Sequence, residues 1–296
     1  MKEMYDVIII GSGIAGMTTA IYLKRAGLNP IIIEENAPGG QLNKINIIEN
    51  YPGYTKTDGP SLAAEIFSQV RNLNIEYLFD KVISADLTSE IKKIITGSGE
   101  LLCKYLVIAT GRLSKKLFNS DDRYIGKGIS YCGLCDGHLY KEKDVVVVGG
   151  ANAALEEALY LSDICNNVTM IVRGEQLRGD KSLIDKVLEK NNIKCVYNSN
   201  VVEYNIENNK LASIKLDNGE IMDTDGLFVS IGSVPSADIF EVDKEKGFII
   251  VDSECMTNIE NVYACGDVIK KTVYQLTTAA SEGTIAAYSI IKKNKK

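Results

Sequence analysis

One stretch of this chain occurs twice. "YDVIIIGSGIAGMTTAIYLKRAGLNPIIIEE", beginning at Tyr5, aligns without a gap with "KDVVVVGGANAALEEALYLSDICNNVTMIVR", beginning at Lys143, at a constant offset of 138 residues. Each copy opens on an unbroken apolar run, the pattern of a parallel strand covered on both faces. A turn of small residues follows, then a helical stretch, then a second apolar run. That is a βαβ unit, and two of them in one chain predict an α/β protein with two Rossmann-like, three-layer nucleotide-binding domains.

Length and composition agree. A chain of 296 residues is long for one domain and comfortable for two. Hydrophobic residues at 45% and charged residues at 24% suit a soluble globular protein. A net charge of -6 and a pI near 5.1 argue against wholesale binding to nucleic acid or to a membrane surface. The first strand begins at "YDVIII", leaving no room for a signal peptide, and no apolar run approaches a membrane span. Seven scattered cysteines, an odd number, lack the density of a secreted disulfide scaffold, so a reducing cytoplasm is the expected location.

The first copy holds Gly11, Gly13 and Gly16 in full G-x-G-x-x-G spacing, with Ser12 and Ala15 between them. Gly11 permits the tight turn, Gly13 lets the backbone approach a pyrophosphate, and Gly16 allows close helix packing. The free N–H groups of the helix N-terminus then face the phosphates. Glu34 closes the second strand, where a carboxylate can accept from a ribose hydroxyl. The second copy departs from this pattern. Ala151 stands at the position matching Gly13, and Val172 at the position matching Glu34. Arg173 and Arg178 remain to hold a 2′-phosphate, with Gly174 between them, so NADPH is expected to bind poorly here.

Two further segments, "YLVIATG" ending at Thr110 and Gly111 and "NVYACGDV" containing Gly266 and Asp267, put small residues where backbone can touch a cofactor. With the first fingerprint they point to FAD. Between the two nucleotide-binding segments lies "SYCGLCDGHLY", with Cys132, Cys135, Asp136 and the chain's one histidine, His138. A redox disulfide and a zinc site both use such cysteines. Zinc needs a fourth ligand, and the chain has no second C-x-x-C and no H-x-x-x-H. A C-x-x-C cysteine at a helix start has its thiol pKa lowered by the helix's positive end.

"GSGIAG", "PGGQL", "ENYPG", "ATG", "YCGLCDG", "ALEEALYL" and "ACGDV" follow one another in the order and spacing of the low-molecular-weight thioredoxin reductases, which the chain resembles over nearly its whole length. The resemblance implies an FAD-binding domain made of residues 1–112 and 242–296, with residues 113–241 as an inserted NAD(P)-type domain carrying the C-x-x-C. It implies a homodimer acting on thioredoxin. It implies flavin contacts from Gly40, Gln41, Asn50, Pro52, Thr110, Gly111, Asp267 and Gln275. Cys135 would lie against the flavin, Cys132 would attack the thioredoxin disulfide, and Asp136 would donate and accept the proton.

The resemblance also has gaps. Typical NADPH-linked members carry G-G-G-N-x-A and H-R-R-x-x-x-R where this chain reads "GGANAA" and "VRGEQLR". Tyr274 stands where the family usually has arginine before the flavin-lining glutamine. These losses resemble a branch that takes electrons from ferredoxin without pyridine nucleotide, so ferredoxin is the expected donor ahead of NADPH. Arg112, Lys115, Lys116, Lys270 and Lys271 would supply a basic docking face for it. A non-catalytic FAD-binding redox sensor is the alternative outside enzymology, and the intact C-x-x-C followed by Asp136 counts against it.

Overall fold

The computed structural model describes residues 4–45, 47–118 and 123–295. The chain divides into two compact units, residues 1–113 with 234–296, and residues 114–233. In chain order the first unit begins β1 (Met4–Ile10), α1 (Ile14–Arg25), β2 (Pro30–Glu34), α2 (Gly59–Asn72), β3 (Glu76–Phe79), β4 (Val82–Asp86), β5 (Lys92–Thr96) and β6 (Glu100–Ile108). The chain crosses at β7 (Arg112–Ser114). The second unit holds β8 (Ile129–Ser130), α3 (Gly133–Asp136), β9 (Asp144–Val148), α4 (Asn152–Ser162), β10 (Asn167–Ile171), α5 (Lys181–Glu189), β11 (Ile193–Val196), β12 (Val201–Glu207), β13 (Lys210–Leu216), β14 (Ile221–Asp223) and β15 (Gly226–Val229). The return crossing is β16 (Ser233–Pro235), which pairs with β7. The chain then completes the first unit with β17 (Lys244–Glu245), β18 (Phe248–Ile249), β19 (Val262–Ala264) and α6 (Leu276–Asn294).

The first unit's sheet runs β3-β2-β1-β6-β5-β4, with β19 also paired to β6. β1 lies parallel to both β2 and β6, and its four consecutive apolar residues alternate between two cores. Val7 and Ile9 face the core built with α1 and α6, while Ile8 and Ile10 face the core on the other side. This two-sided burial is why the strand reads as an unbroken apolar run rather than an alternating one. Each such side chain contributes about 1.5–3 kcal/mol relative to an exposed one. α1 and α6 approach closely through small residues. A Cβ on Gly283 would stand 2.4 Å from the Ala15 carbonyl oxygen, and Thr19 Oγ1 donates to that carbonyl at 2.8 Å.

The second unit repeats the arrangement with a wholly parallel sheet, β11-β10-β9-β15-β8, and an antiparallel β12-β13-β14 sheet. Both units are α/β with Rossmann-like sheets, in line with the repeated sequence. The boundary expected at residues 241 and 242 falls earlier, between 233 and 234. The reason is burial: Ala237 and Phe240 are fully enclosed in the first unit's core beside Ile8, Ile10 and Ile249. Among the described residues, no helix is long and apolar enough to cross a membrane.

Candidate active site

In the first unit Gly40, Thr110 and Gly266, three of the expected flavin residues, lie against the turn between β1 and α1. Gly11 has φ +103°, and a Cβ there would stand 2.4 Å from the Ala109 carbonyl oxygen. A Cβ on Gly16 would stand 2.0 Å from the Gly11 carbonyl oxygen. At Gly13, by contrast, a Cβ would meet nothing within 4 Å, so the open side of the turn lies there. Gly13 is the N-cap of α1 and provides no side chain to occupy the helix's free N–H groups. Gly39 N donates to the Ser12 carbonyl at 3.0 Å, which brings the turn before Gly40 and Gln41 against the fingerprint. The cradle of tight glycines with one open face fits a dinucleotide.

Around this turn the polar groups are already connected. Buried Ser12 donates to Glu34 Oε2 from both its backbone N (2.9 Å) and its Oγ (3.1 Å). Tyr77 adds its hydroxyl to Ser12 Oγ at 3.0 Å, and burial pushes that phenol up to about 12. Gln41 Nε2 donates to the Arg112 carbonyl at 2.7 Å, and Asn50 Nδ2 to Gln275 Oε1 at 3.3 Å. Gln275 caps α6, with a reciprocal capping box to Thr278. The Thr110 hydroxyl donates to the Ser236 carbonyl, and Gly111 has φ +63°. Gly266, at φ +80°, donates its N–H to Glu282 Oε2 at 2.9 Å, and a Cβ on it would lie 2.9 Å from that of Ala15. Asp267 pairs with Lys271 at 3.2 Å. The Tyr274 ring has the Arg112 guanidinium 4.9 Å and the Lys271 ammonium 5.3 Å from its centroid.

The remaining predicted residues are in the second unit. Cys132 and Cys135 form a disulfide, with Cα atoms 5.3 Å apart. Cys132 is the N-cap of the one-turn α3, and its Sγ accepts from Cys135 N at 3.1 Å. Cys132 is buried and Cys135 exposed. Asp136 lies in the same turn, and the fully buried Ser130 donates to its Oδ2 at 2.7 Å while accepting from Cys132 N at 3.0 Å. His138 is exposed in the following turn. Below α3, Gly133 N donates to Glu157 Oε1 at 2.7 Å, and the Ser230 hydroxyl donates to Glu157 Oε2. Sequence reading missed Ser130, Ser230 and the role of Glu157. Glu157 sits inside the "ALEEALYL" segment, but its contact with Gly133 spans 24 positions and leaves no local signal.

The family model described as pyridine nucleotide-disulphide oxidoreductase matches residues 5–283. The thioredoxin reductase of Bacillus subtilis is 35% identical over 298 residues, covering 98% of this chain and 94% of that protein. The chain belongs to the thioredoxin reductase family. The structure of Lactococcus lactis thioredoxin reductase superposes with a TM-score of 0.89 at 34% identity, covering 98% and 99% of the two chains. A ferredoxin-flavin thioredoxin reductase from Clostridium acetobutylicum superposes with a TM-score of 0.57 at 29% identity, covering 100% and 99%.

The second fingerprint keeps its shape and changes its chemistry. Ala151 caps α4 in the same extended conformation as Gly13 and is exposed, so its methyl group stands on the side that is open in the first copy. The Ser12–Glu34 hydrogen bonds have an apolar counterpart: buried Val172 comes within 2.8 Å of where a Cβ on Gly150 would be. Arg178 N donates to the Gly150 carbonyl at 2.6 Å, so the segment carrying Arg178 is paired to this turn. The expected basic face is changed as well. Lys270 pairs with Glu245, and Lys271, only 10% exposed, pairs with Asp267 and Glu282.

Four of the five thiols outside the disulfide are buried, and Cys195 is half-buried. Cys103, Cys255 and Cys265 are each pushed up to about 12 and Cys165 to about 11, in every case chiefly by desolvation. An Ellman titration of the oxidised folded protein at pH 8 is therefore expected to leave these four unreacted over minutes, and to count them only after unfolding. Rapid reaction of two or more in the folded protein would contradict this burial.

Proposed function

We propose that this protein reduces the disulfide of thioredoxin through Cys132 and Cys135, using bound FAD and electrons from NADPH. The observation that carries the reading is the Cys132–Cys135 disulfide at the cap of a one-turn helix, in a chain matched over nearly its whole length by thioredoxin reductases. Gly11, Ser12, Gly13, Ala15, Gly16 and Glu34 would hold the adenosine and pyrophosphate of FAD. Gly40, Gln41, Asn50, Thr110, Gly111, Gly266, Asp267, Tyr274 and Gln275 would line the rest. When bound, FAD accepts a hydride equivalent and passes two electrons to a disulfide. In the reduced protein the Cys132 sulfur attacks the thioredoxin disulfide, and a mixed disulfide forms. Cys135 then displaces thioredoxin as its dithiol, restoring the Cys132–Cys135 bond. Asp136, oriented by Ser130, handles the proton of this exchange.

For the donor, the expectation of ferredoxin gives way to NADPH. An apolar Val172 in place of an acid, with Arg173 and Arg178 at the strand end and beside the turn, suits a phosphorylated ribose. The pairing of Lys270 and Lys271 removes two charges from the proposed ferredoxin face. Ferredoxin remains the second reading because of one observation, the Ala151 methyl group on the open side of the second fingerprint. Anaerobic mixing decides between them. NADPH is expected to bleach the oxidised flavin, and thioredoxin to restore its colour. Bleaching only by reduced ferredoxin would reverse the choice. Ala151→Gly combined with Gly174→Arg is expected to tighten NADPH binding about tenfold, from one restored charge-assisted contact and a freed approach. Unchanged affinity would place the obstruction elsewhere.

A further inference from the structure

The helix that begins at Cys132 is a single turn, and the first of its N–H groups is not free to stabilise an anion. Gly133 N donates to the carboxylate of Glu157, which rises from α4 and is held from its other oxygen by the Ser230 hydroxyl. A Cβ on Gly133 would stand 3.0 Å from Glu157 Cγ, so a side chain there would press this carboxylate away from the dithiol turn. The sulfur of Cys132 has one backbone donor in the same turn, Cys135 N at 3.1 Å. A donor and a carboxylate therefore act on this turn in opposite senses. The N–H favours negative charge on the sulfur, and Glu157 disfavours it. Asp136, the acid within the turn itself, is tied to Ser130.

We infer that Glu157 is a positioning residue that sets the redox poise of the Cys132/Cys135 pair, its carboxylate holding the dithiol turn by Gly133 N while disfavouring the reduced form. A pair poised in this way gives up its electrons more readily to an acceptor disulfide, because the reduced form lacks the thiolate stabilisation that makes other C-x-x-C pairs oxidising. The inference rests on the reading of Cys132 and Cys135 as the redox pair.

The test equilibrates the flavin-loaded protein at pH 8 with glutathione and glutathione disulfide in set ratios, followed by acid quench, alkylation and mass measurement. In this exchange the Cys132–Cys135 bond breaks and the glutathione disulfide bond forms. Two electrons and the protons of two glutathione thiols pass to the two cysteines. Glu157→Gln keeps an acceptor for Gly133 N and removes the charge, and is expected to shift the equilibrium toward the dithiol about fivefold. Ser230→Ala removes a hydrogen bond but leaves the charge, and is expected to shift it less than about twofold. A Glu157→Gln protein within twofold of wild type would overturn the inference. So would a Ser230→Ala shift as large as that of Glu157→Gln, which would mark a merely structural role. A wild-type pair that glutathione cannot cycle at all would overturn the proposed function, and this inference with it.

Discussion

Serine in place of either Cys132 or Cys135 is expected to lower thioredoxin reduction by roughly a thousandfold or more, since each sulfur is needed for one half of the exchange. The two variants should fail differently. Cys132 is the N-cap and its sulfur accepts the Cys135 N–H, a donor within the turn that favours its thiolate, and it is the expected nucleophile. Cys135→Ser is therefore expected to accumulate a mixed disulfide with thioredoxin through Cys132, visible as a mass increment that reductant removes. Cys132→Ser should give none. In this structure Cys132 is the buried residue of the pair and Cys135 the exposed one, so the turn must open for attack by Cys132. A trapped complex through Cys135 instead would reassign the nucleophile, and turnover within tenfold of wild type in either variant would remove the dithiol from the mechanism. Neither serine should alter flavin content, because every residue proposed to hold FAD is in the other unit.

Much of this architecture was legible because the strongest signals are local. Val7–Ile10 and Val145–Val148 read as two-face-buried strands from composition alone, and the glycine spacing marks where each strand turns into its helix. The C-x-x-C pair is legible for the same reason, since a three-residue separation fits a single turn. What escaped was nonlocal. The return crossing was expected too late because Ala237 and Phe240 follow no periodic pattern, and only their burial assigns them to the first unit. Lys271 resembles any lysine in a basic run until Glu282, nearly two turns into α6, closes on it. Burial raises the Glu282 carboxyl above its ordinary range, and the Lys271 ammonium works against that shift. Ser130 and Glu157 are ordinary polar residues in sequence, and only the fold brings them under the dithiol. The sequence also suggested that the helix start activates the cysteine. The helix proves to be one turn, with its first N–H already committed to a carboxylate.

The first fingerprint offers a sharper separation of folding from cofactor binding than the dithiol does. At Gly16 a methyl group would sit 2.0 Å from the Gly11 carbonyl oxygen and 3.3 Å from the Ala109 Cβ, with no flexible side chain to yield. Relief requires α1 to move off β1, which disturbs the packing of Ala15, Met17 and Ala20 in the main core. Gly16→Ala is therefore expected to cost about 3 kcal/mol or more, a large share of the roughly 5–15 kcal/mol available to a folded domain. At Gly13 the same methyl group meets nothing within 4 Å, and the residue's φ of -67° is one that alanine adopts freely. Gly13→Ala is expected to leave the melting temperature of the flavin-free protein unchanged or slightly raised, because alanine restricts the unfolded chain. Its flavin content should nonetheless fall at least about tenfold, since the methyl group fills the face through which a pyrophosphate must reach the helix N–H groups. Melting of apoprotein prepared by acid precipitation, together with flavin-to-protein absorbance ratios, measures both quantities. A Gly13→Ala protein that keeps its full complement of flavin would move the pyrophosphate away from this turn, whatever Gly16→Ala does to the fold.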